Sequence, residues 1–520
     1  MASIPGSAAA HRPISVRLTL FAFVLLGIGL AFRLKGFLLD GLEAIANPYE
    51  LDYGEGIVWQ QMLMMFDGRG YAPIDGFPSI VFHYPPVYHA AAHGAALLGL
   101  DPLMAGRTVS FLSTLVAALL IGGITFDLSH PDARRVRLIS AGTAAILALS
   151  WFPVLNWAPL MRVDMLACAL SLGGFLLALR ALDRPWLIFP AAIAFVAAVY
   201  TKQTMIAAPA ATFGTLLVLR PRLALKGIAA AMVVGLAALA LLAAATDGRF
   251  IRHVFLYNVN RFEASGLLQV AESLLLHSIY IVMAGVGVWT LASDVRTSGA
   301  SGGGLRGFAR RIAGDGGAGR KLMVLAYLAV ATPMLLMNGK VGANINYQIE
   351  WMFVLSIFAG ISVAPAARAL FEGRDAPARS LLHSWAVPAA LAFQSLVLLQ
   401  SPYRGGPSPE LAASMERLGE RIRSADRPII ADNMVLLLKN GHEVVWEPAI
   451  FAELASTGVY DERPFVRKIK RRDFAFFLTF GDRGTARFHE RYNPAVADAI
   501  DVAYPVKERF GKLTLHSPRP

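Results

Sequence analysis

A polar, acidic and aromatic stretch from residue 47 to residue 86 carries the side chains best suited to chemistry. It reads NPYELDYGEGIVWQQMLMMFDGRGYAPIDGFPSIVFHYPP and follows the first apolar run of the chain. Asp52 and Glu55 are three residues apart, so a helix there would place both carboxylates on one face. A carboxylate held beside a hydroxyl can take its proton, and we therefore select both residues as catalytic candidates. The alternative interpretation is an acidic pair on a solvated surface.

Aromatic and histidine side chains accompany this acidic pair. We expect Tyr53, His83 and Tyr84 to line a substrate pocket, because the turn His-Tyr-Pro-Pro closes the same stretch. Tyrosine at interfacial depth also serves as a membrane anchor, which is the alternative. His89 and His93 follow at helical spacing, but no HExxH pattern accompanies them, and we predict no metal site.

Further polar side chains stand at the ends of apolar runs. Arg162 and Asp164 occur in WAPLMRVDMLA, and Lys202 occurs in AVYTKQTMIAAP. Charges at a membrane boundary need a partner or a function, so a structural ion pair competes with binding of an anionic head group. Snorkelling of Lys202 is a further alternative. Because Arg and Lys bind phosphate oxygens, the predicted phosphate ligands are Arg162, Lys202, Arg261 and Lys340. Further predicted pocket residues are Asp164, Asn346, Tyr347 and Glu350.

The composition indicates a membrane protein with many spans. The chain has 520 residues, of which 56% are hydrophobic and 16% are charged, and its mean hydropathy is +0.52. Its net charge of +12 is spread over short loops between apolar runs, which is typical of membrane orientation and argues against nucleic-acid binding. The single cysteine, Cys168, excludes an intramolecular disulfide.

Loop charges predict the orientation of the spans. Residues 87–100 are too short to cross and suit an interfacial or re-entrant helix. With that segment uncrossed, basic clusters such as 134–137 and 220–226 all fall on the side of the N-terminus. The N-terminus is then inside, and residues 47–86 and the C-terminus are outside. The eleven predicted spans lie near residues 15–34, 105–126, 137–157, 163–182, 185–201, 203–219, 224–246, 273–294, 321–338, 349–367 and 382–400.

The composition changes after residue 400. Strand-like runs such as PIIAD and FAFFLTF alternate with helix-like runs, which predicts a small α/β domain with its own core. We therefore expect a transmembrane domain over residues 1–402, with an outer catalytic loop over 35–104. A soluble extracytoplasmic domain is expected over residues 403–520, with a supporting or acceptor-binding role.

Four features in order resemble the GT-C superfamily of membrane glycosyltransferases. They are the outward Asp52, the turn ending in Pro85-Pro86, an interfacial helix, and a span that opens with Gly106-Arg107. The pattern is most similar to the protein O-mannosyltransferase and lipid A aminoarabinose transferase group. It covers residues 15–220 best and the terminal domain least. In that group the first-loop aspartate is the catalytic carboxylate, and the resemblance assigns this role to Asp52.

The resemblance implies transfer of a sugar from a polyprenyl-phosphate donor to an acceptor hydroxyl of a glycan, lipid or protein, with inversion. The expected partners are this donor lipid, the acceptor and membrane lipids. The expected location is a bacterial-type inner membrane, with the active site on the extracytoplasmic side. No cofactor is required by the sequence, and a divalent cation such as Mg²⁺ stays open. The alternatives are a transporter or flippase for a lipid-linked saccharide and a non-catalytic assembly scaffold.

Overall fold

The computed structural model describes residues 14–258, 260–299, 304–371, 385–398, 403 and 405–519. Parts of the predicted glycine-rich loop at 296–321 and of the predicted span at 382–400 lie outside these residues. So does the predicted domain boundary between 402 and 403. The described chain is a bundle of apolar helices followed by a small C-terminal sheet, which confirms the predicted fold class.

Helices account for most of the described chain. The α-helices before the terminal domain are Ile14–Ala46, Gly54–Phe66, Val87–Leu97, Pro102–Leu128, Arg134–Ala148, Phe152–Trp157, Asp164–Ala181, Ile188–Val199, Ala207–Leu219, Pro221–Ala245, Arg249–Val254, Leu268–Leu276, Ser278–Gly299, Gly304–Gly314, Gly316–Ala331, Ile349–Ser362, Ala364–Phe371 and Ala386–Val397. Short 3-10 helices cover Pro185–Leu187, Leu256–Asn258, Ala264–Leu267, Pro333–Gly339 and Ile345–Gln348.

Seven helical segments in the described part of the chain are long and apolar enough to cross a membrane. Four shorter apolar segments accompany them: Pro185–Val199, Ala207–Leu219, Ala264–Leu276 and Ala386–Val397. The chain is thus a multi-pass membrane protein, while the number of spans and their orientation stay predictions. The helix Val87–Leu97 has 11 residues, which is too few to cross a bilayer.

Small residues let the long helices approach closely. A Cβ atom at Gly287 would lie 2.0 Å from the carbonyl oxygen of Phe358, so Ser278–Gly299 and Ile349–Ser362 touch backbone to backbone there. The helix Pro221–Ala245 instead exposes large apolar side chains, among them Val233 and Leu241. In a membrane this surface faces lipid.

The terminal domain combines a four-stranded sheet with short helices. Its strands are β1 (Ile430–Ala431), β2 (Phe477–Phe480), β3 (Val506–Phe510) and β4 (Leu513–Ser517), in the order β1-β2-β4-β3. Only the β1–β2 pair is parallel. Its helices are Pro409–Arg423, Met434–Lys439, Pro448–Ser456, Arg463–Lys470, Ala486–His489 and Pro494–Ala503. Buried aromatic side chains, including Trp446 and Phe465, form its core.

The terminal domain packs directly on the outer loop. A Cβ atom at Gly56 would lie 2.5 Å from the Cβ of Met434, so the helix Gly54–Phe66 has no room for a side chain there. Gln60 donates to Glu443 (3.0 Å) and accepts from the backbone N–H of Val444 (3.0 Å). The loop and the domain therefore share one interface, and the active-site candidates lie at its edge.

Candidate active site

A cavity of about 240 Å³ opens between the outer loop, the ends of the apolar helices and the terminal domain. We call it the cationic cavity, because Arg162, Lys202 and Lys340 all line it. Predicted site residues make up much of its wall, namely Tyr53, His83, Tyr84, Arg162, Lys202, Lys340 and Tyr347. Segments far apart in the sequence thus converge on one site.

The three cations of the cavity differ in their partners. The Nη1 atom of Arg162 lies 3.1 Å from Oδ1 of Asp52, and Nζ of Lys202 lies 2.6 Å from Oδ1 of Asp164. Lys340 donates to the amide oxygen of Asn258 (2.5 Å) and pairs with no carboxylate in the described residues. Burial, together with nearby Lys202, lowers the pKa of Lys340 to about 8. An anionic ligand would supply the charge partner that Lys340 lacks.

Asp52 does not line the cavity itself, but its ion-pair partner Arg162 and its chain neighbours Tyr53 and Gly54 do. Its Oδ1 also accepts from the backbone N–H of Gly54 (3.0 Å), which places it just before the helix rather than within it. Its side chain is 21% exposed, and Oδ2 has no hydrogen-bond partner among the described residues. Burial raises the pKa of Asp52, and the opposing charge of Arg162 limits that rise.

Glu55 lies elsewhere, fully buried at the start of the helix. It forms a two-pronged ion pair with Arg107, with Nε to Oε1 and Nη2 to Oε2 both at 2.7 Å. Its oxygens also accept from the backbone of Leu51 (2.8 Å) and Met161 (3.0 Å). Glu55 is not part of the cavity wall. Its geometry is that of a residue that shapes the loop.

Arg107 completes this anchor from the opening of the helix Pro102–Leu128. Its guanidinium donates to the carbonyl oxygens of Ala44 (2.9 Å), Asn47 (2.6 Å) and Tyr49 (2.7 Å). The buried charge is therefore fully hydrogen-bonded, as burial requires. Through this one side chain the helix holds the outer loop in the shape that presents Asp52.

Asp164 lies behind Lys202 and is buried. Besides Lys202, it accepts from Nδ2 of Asn346 (2.8 Å) and Nε1 of Trp157 (3.1 Å). Asp164 and Asn346 therefore fix Lys202 from behind without lining the cavity. The considered Arg162–Asp164 pair is absent from the ion pairs of the described residues, because each residue has a different partner.

Two other predicted residues lie apart from the cavity. Arg261 pairs with Glu453 on an exposed surface (3.0 Å). Glu350 is buried within the bundle, where it accepts from the hydroxyl of Tyr327 (2.8 Å). Neither residue lines the cavity. This geometry gives no support to Arg261 as a phosphate ligand or to Glu350 as a substrate-pocket residue.

His83 is uncharged at neutral pH. Burial, reinforced by the charge of Lys340, lowers its pKa to about 3. The imidazole therefore contributes no positive charge to the cavity. This restricts the cationic ligands of the cavity to Arg and Lys.

The sequence did not single out several polar residues of the cavity wall. Nε2 of Gln203 donates to the carbonyl oxygen of His83 (3.0 Å). The other amide atom of Gln203, Oε1, is buried and has no hydrogen-bond partner in the described chain. Thr204 Oγ1 and Arg162 Nε are also buried without a hydrogen-bond partner in the described chain. Buried polar atoms are normally satisfied, so three such atoms among the residues that line one cavity are unusual. Their signal was the run TKQT around Lys202.

Glu447 is another wall residue that was missed, and it comes from the terminal domain. One oxygen accepts from the Tyr53 hydroxyl, and the other accepts from the backbone N–H of Ile450 (2.7 Å) at the start of a helix. Burial raises the pKa of Glu447 to about 7. No local motif marks it, because only the docking of the two domains brings it to the cavity.

Metal-ligand geometry occurs elsewhere in the described residues. Asp482, Asp501 and His516 of the terminal domain offer ligand atoms close together. Nζ of Lys507 lies 2.8 Å from Asp482 and 3.1 Å from Asp501, and Nη1 of Arg483 lies 3.0 Å from Asp501, so cations of the protein already pair with both carboxylates. None of these residues lines the cationic cavity.

Comparison with known proteins identifies the fold. No protein-family model matches the sequence, and no curated protein matches it. Among solved structures, ArnT from Cupriavidus metallidurans bound to undecaprenyl phosphate is similar, with 15% identity, a TM-score of 0.57, and coverage of 94% of this chain and 97% of ArnT. This chain has the GT-C fold.

A second GT-C structure supports this assignment. The Archaeoglobus fulgidus oligosaccharyltransferase in its apo form shares 10% identity and a TM-score of 0.56, covering 90% of this chain and 70% of the oligosaccharyltransferase. The resemblance predicted from Asp52, the proline pair and Gly106-Arg107 is thus confirmed at the level of the GT-C fold. Because the GT-C match to ArnT spans nearly the whole chain, it includes the terminal domain.

Proposed function

We propose that this protein transfers a sugar from a polyprenyl-phosphate donor to an acceptor hydroxyl. The observation that carries the proposal is the cationic cavity, where Arg162, Lys202 and Lys340 line a wall and a partly exposed carboxylate, Asp52, pairs with the first of them. The similar fold of ArnT, whose structure was solved with undecaprenyl phosphate, supports a lipid phosphate as the ligand.

The geometry supports a division of labour. Asp52 acts as the general base and accepts the hydroxyl proton while the acceptor oxygen bonds to the anomeric carbon. The bond from that carbon to the phosphate oxygen breaks in the same step, and the polyprenyl phosphate leaves as an anion. Lys340, Arg162 and Lys202 stabilise the negative charge on the departing phosphate. A single displacement of this kind inverts the anomeric centre.

We assign Glu55 a positioning role and leave the base role to Asp52. The Glu55 carboxylate is saturated by Arg107 and backbone donors, whereas Oδ2 of Asp52 is free to accept a proton. We also propose that the cavity faces the extracytoplasmic side of a bacterial-type inner membrane. The sequence-based topology supports this location.

The test compares the full-length wild-type protein with Asp52→Asn in lipid nanodiscs. Binding of undecaprenyl phosphate and transfer of radiolabelled sugar from a panel of polyprenyl-phosphate donors are measured together. We expect Asp52→Asn to retain donor binding and to lose transfer by about a hundredfold or more. Asp67→Asn is the matched control, since Asp67 is an exposed acid of the same loop. Full transfer by Asp52→Asn would contradict the proposed base, and no binding by the wild type would contradict the proposed donor.

A further inference from the structure

A second and larger opening, which we call the outer groove, lies next to the cationic cavity. Its volume is about 770 Å³, within the roughly 300–1,000 Å³ range of small-molecule sites. Three segments form it: residues 73–77 of the outer loop, residues 247–257, and residues 459–468 of the terminal domain. Both openings are lined by residues of the outer loop and of the terminal domain.

One short stretch of chain separates the two openings. His253 and Tyr257 line the outer groove, whereas the next residue, Asn258, lines the cationic cavity and accepts from Lys340 (2.5 Å). His83 also lines the cavity, and its carbonyl oxygen accepts from Nδ2 of Asn258 (3.4 Å). The two openings therefore have lining residues that are neighbours in the chain, Tyr257 and Asn258.

The charges of the groove are balanced, in contrast to those of the cavity. Positive and negative side chains occur in equal number along it: Arg249, Arg252 and Lys468 against Asp75, Asp247 and Asp461. Such a surface offers both donors and acceptors and favours no net charge in its ligand. Hydroxyl groups both donate and accept, so a neutral polyhydroxylated ligand matches this lining.

Aromatic rings add the second feature of a sugar site. Phe77 stays 38% exposed although it packs near Phe465, with ring centroids 6.3 Å apart. Nζ of Lys468 lies 5.0 Å from the centre of the Phe77 ring. Tyr257 and Tyr460 line the same groove. Aromatic faces pack against the C–H faces of sugar rings, while the flanking charges meet the hydroxyls.

An extended peptide matches the groove less well. Peptides commonly bind by adding a strand to the free edge of a sheet. The edge strands of the described sheet are β1 and β3, and neither contributes a residue to the groove. The groove therefore offers a peptide no free edge of the described sheet.

We propose that the outer groove binds the acceptor and that this acceptor is a neutral oligosaccharide. The proposal rests on the proposed function, because it takes the adjoining cavity as the site of the donor phosphate. One hydroxyl of the bound chain would reach past residues 257–258 towards Asp52. Exposed Arg252 and Phe77 would hold the sugar units behind it.

The test measures retention of the full-length protein on immobilised oligosaccharides. One surface carries neutral mannose, glucose and N-acetylglucosamine oligomers, another carries anionic oligosaccharides, and a third carries peptides. The protein is held in phosphatidylcholine nanodiscs, because detergents with sugar head groups would compete for the groove. We expect the wild type to be retained on a neutral oligosaccharide. Arg252→Ala and Phe77→Ala should be retained at least about tenfold more weakly, because each loses one charge-assisted hydrogen bond or one aromatic contact. Arg467→Ala is the matched control, because Arg467 is exposed on the terminal domain outside the groove.

Undecaprenyl phosphate binding, measured on the same samples, separates the two proposals. Lys340→Met should lose donor binding and keep oligosaccharide retention, whereas Arg252→Ala should do the reverse. Retention only on anionic oligosaccharides or peptides would overturn the groove proposal, and so would equal retention of the groove variants and the control. Donor binding without retention on any oligosaccharide would overturn the groove alone. Absent donor binding with groove-dependent retention would instead count against the proposed function.

Discussion

Lys340 is the cation of the cavity whose charge depends most on pH. Its pKa of about 8 is lowered by burial and by Lys202, and its nearest polar partner is the neutral Asn258. The ammonium is therefore present below pH 8 and is lost as the pH rises through that value. His83, with a pKa of about 3, is neutral throughout this range and adds no competing titration.

We predict that affinity for undecaprenyl phosphate falls by roughly tenfold or more as the pH rises through 8. This factor corresponds to the loss of one charge-assisted hydrogen bond. Lys340→Arg should keep its charge and bind evenly over the same range. Lys340→Met should bind weakly at every pH. The measurement is the dissociation constant in nanodiscs as a function of pH. A fall of equal size in Lys340→Met would show that a different group titrates.

Gly54 controls the position of the Arg162 guanidinium. A Cβ atom at residue 54 would lie 1.2 Å from Nη1 of Arg162, the atom that pairs with Asp52. We predict that Gly54→Ala displaces this guanidinium and reduces transfer by at least about tenfold, since small misplacements of catalytic groups have large effects. Gly94→Ala is the matched control, because a Cβ atom there meets no atom within 4 Å. Unchanged transfer by Gly54→Ala would mean that the Asp52–Arg162 pair is dispensable.

The residues that the sequence revealed share a property that the missed ones lack. Arg162, Lys202 and Lys340 are charges at the ends of apolar runs, where their cost marks them without any structure. Glu447 and Gln203 are ordinary polar residues in sequence, and only their placement gives them a function. Arg261 shows the opposite error, in which the sequence selected a residue that lies outside the cavity. Its partner, Glu453, belongs to the terminal domain, so the pair could not be predicted from the sequence around Arg261.

At the scale of elements, the outer loop depends on one buried ion pair. Glu55, at the start of the helix Gly54–Phe66, faces Arg107 near the start of the helix Pro102–Leu128. Both side chains are wholly buried, so removal of one leaves an uncompensated charge. The sequence predicted Glu55 as a candidate because it lies three residues from Asp52. That spacing could not show that the helix begins at Gly54, between the two carboxylates.

We predict that Glu55→Gln destabilises the protein by about 3–5 kcal/mol, the usual cost of breaking a buried ion pair. Asp52→Asn should cost less, because the Asp52–Arg162 pair is partly exposed. Thermal unfolding of both variants in nanodiscs measures the difference. A fully stable Glu55→Gln protein that has lost transfer would instead make Glu55 a catalytic residue.

The segment from residue 249 to residue 258 joins the two openings at the same scale. It turns one side towards the outer groove and, through Asn258, the other towards the cationic cavity. His253 holds it to the outer loop, since its ring accepts from the backbone N–H of Phe82 (3.0 Å) and contacts the carbonyl oxygen of Ala72 (2.9 Å). This segment therefore separates the proposed donor site from the proposed acceptor site.

At the scale of the whole molecule, the contact between the outer loop and the terminal domain restricts the topology. Tyr53 bonds to Glu447, and Gln60 bonds to Glu443, so both parts lie on the same side of the membrane. The sequence could predict the side of each part only separately, from loop charges. Their contact turns two predictions of orientation into one.

Single cysteine substitutions test that orientation in intact cells. The native Cys168 is buried within a helix, so it contributes little background to labelling by an impermeant maleimide. Val502→Cys lies on the terminal domain, where residue 502 is 76% exposed, and Arg184→Cys lies in an exposed turn on the predicted inner side. We predict labelling of Val502→Cys in intact cells and of Arg184→Cys only after permeabilisation, because basic loops stay inside. The reverse pattern would invert the topology and would place Asp52, the cationic cavity and the outer groove together on the cytoplasmic side.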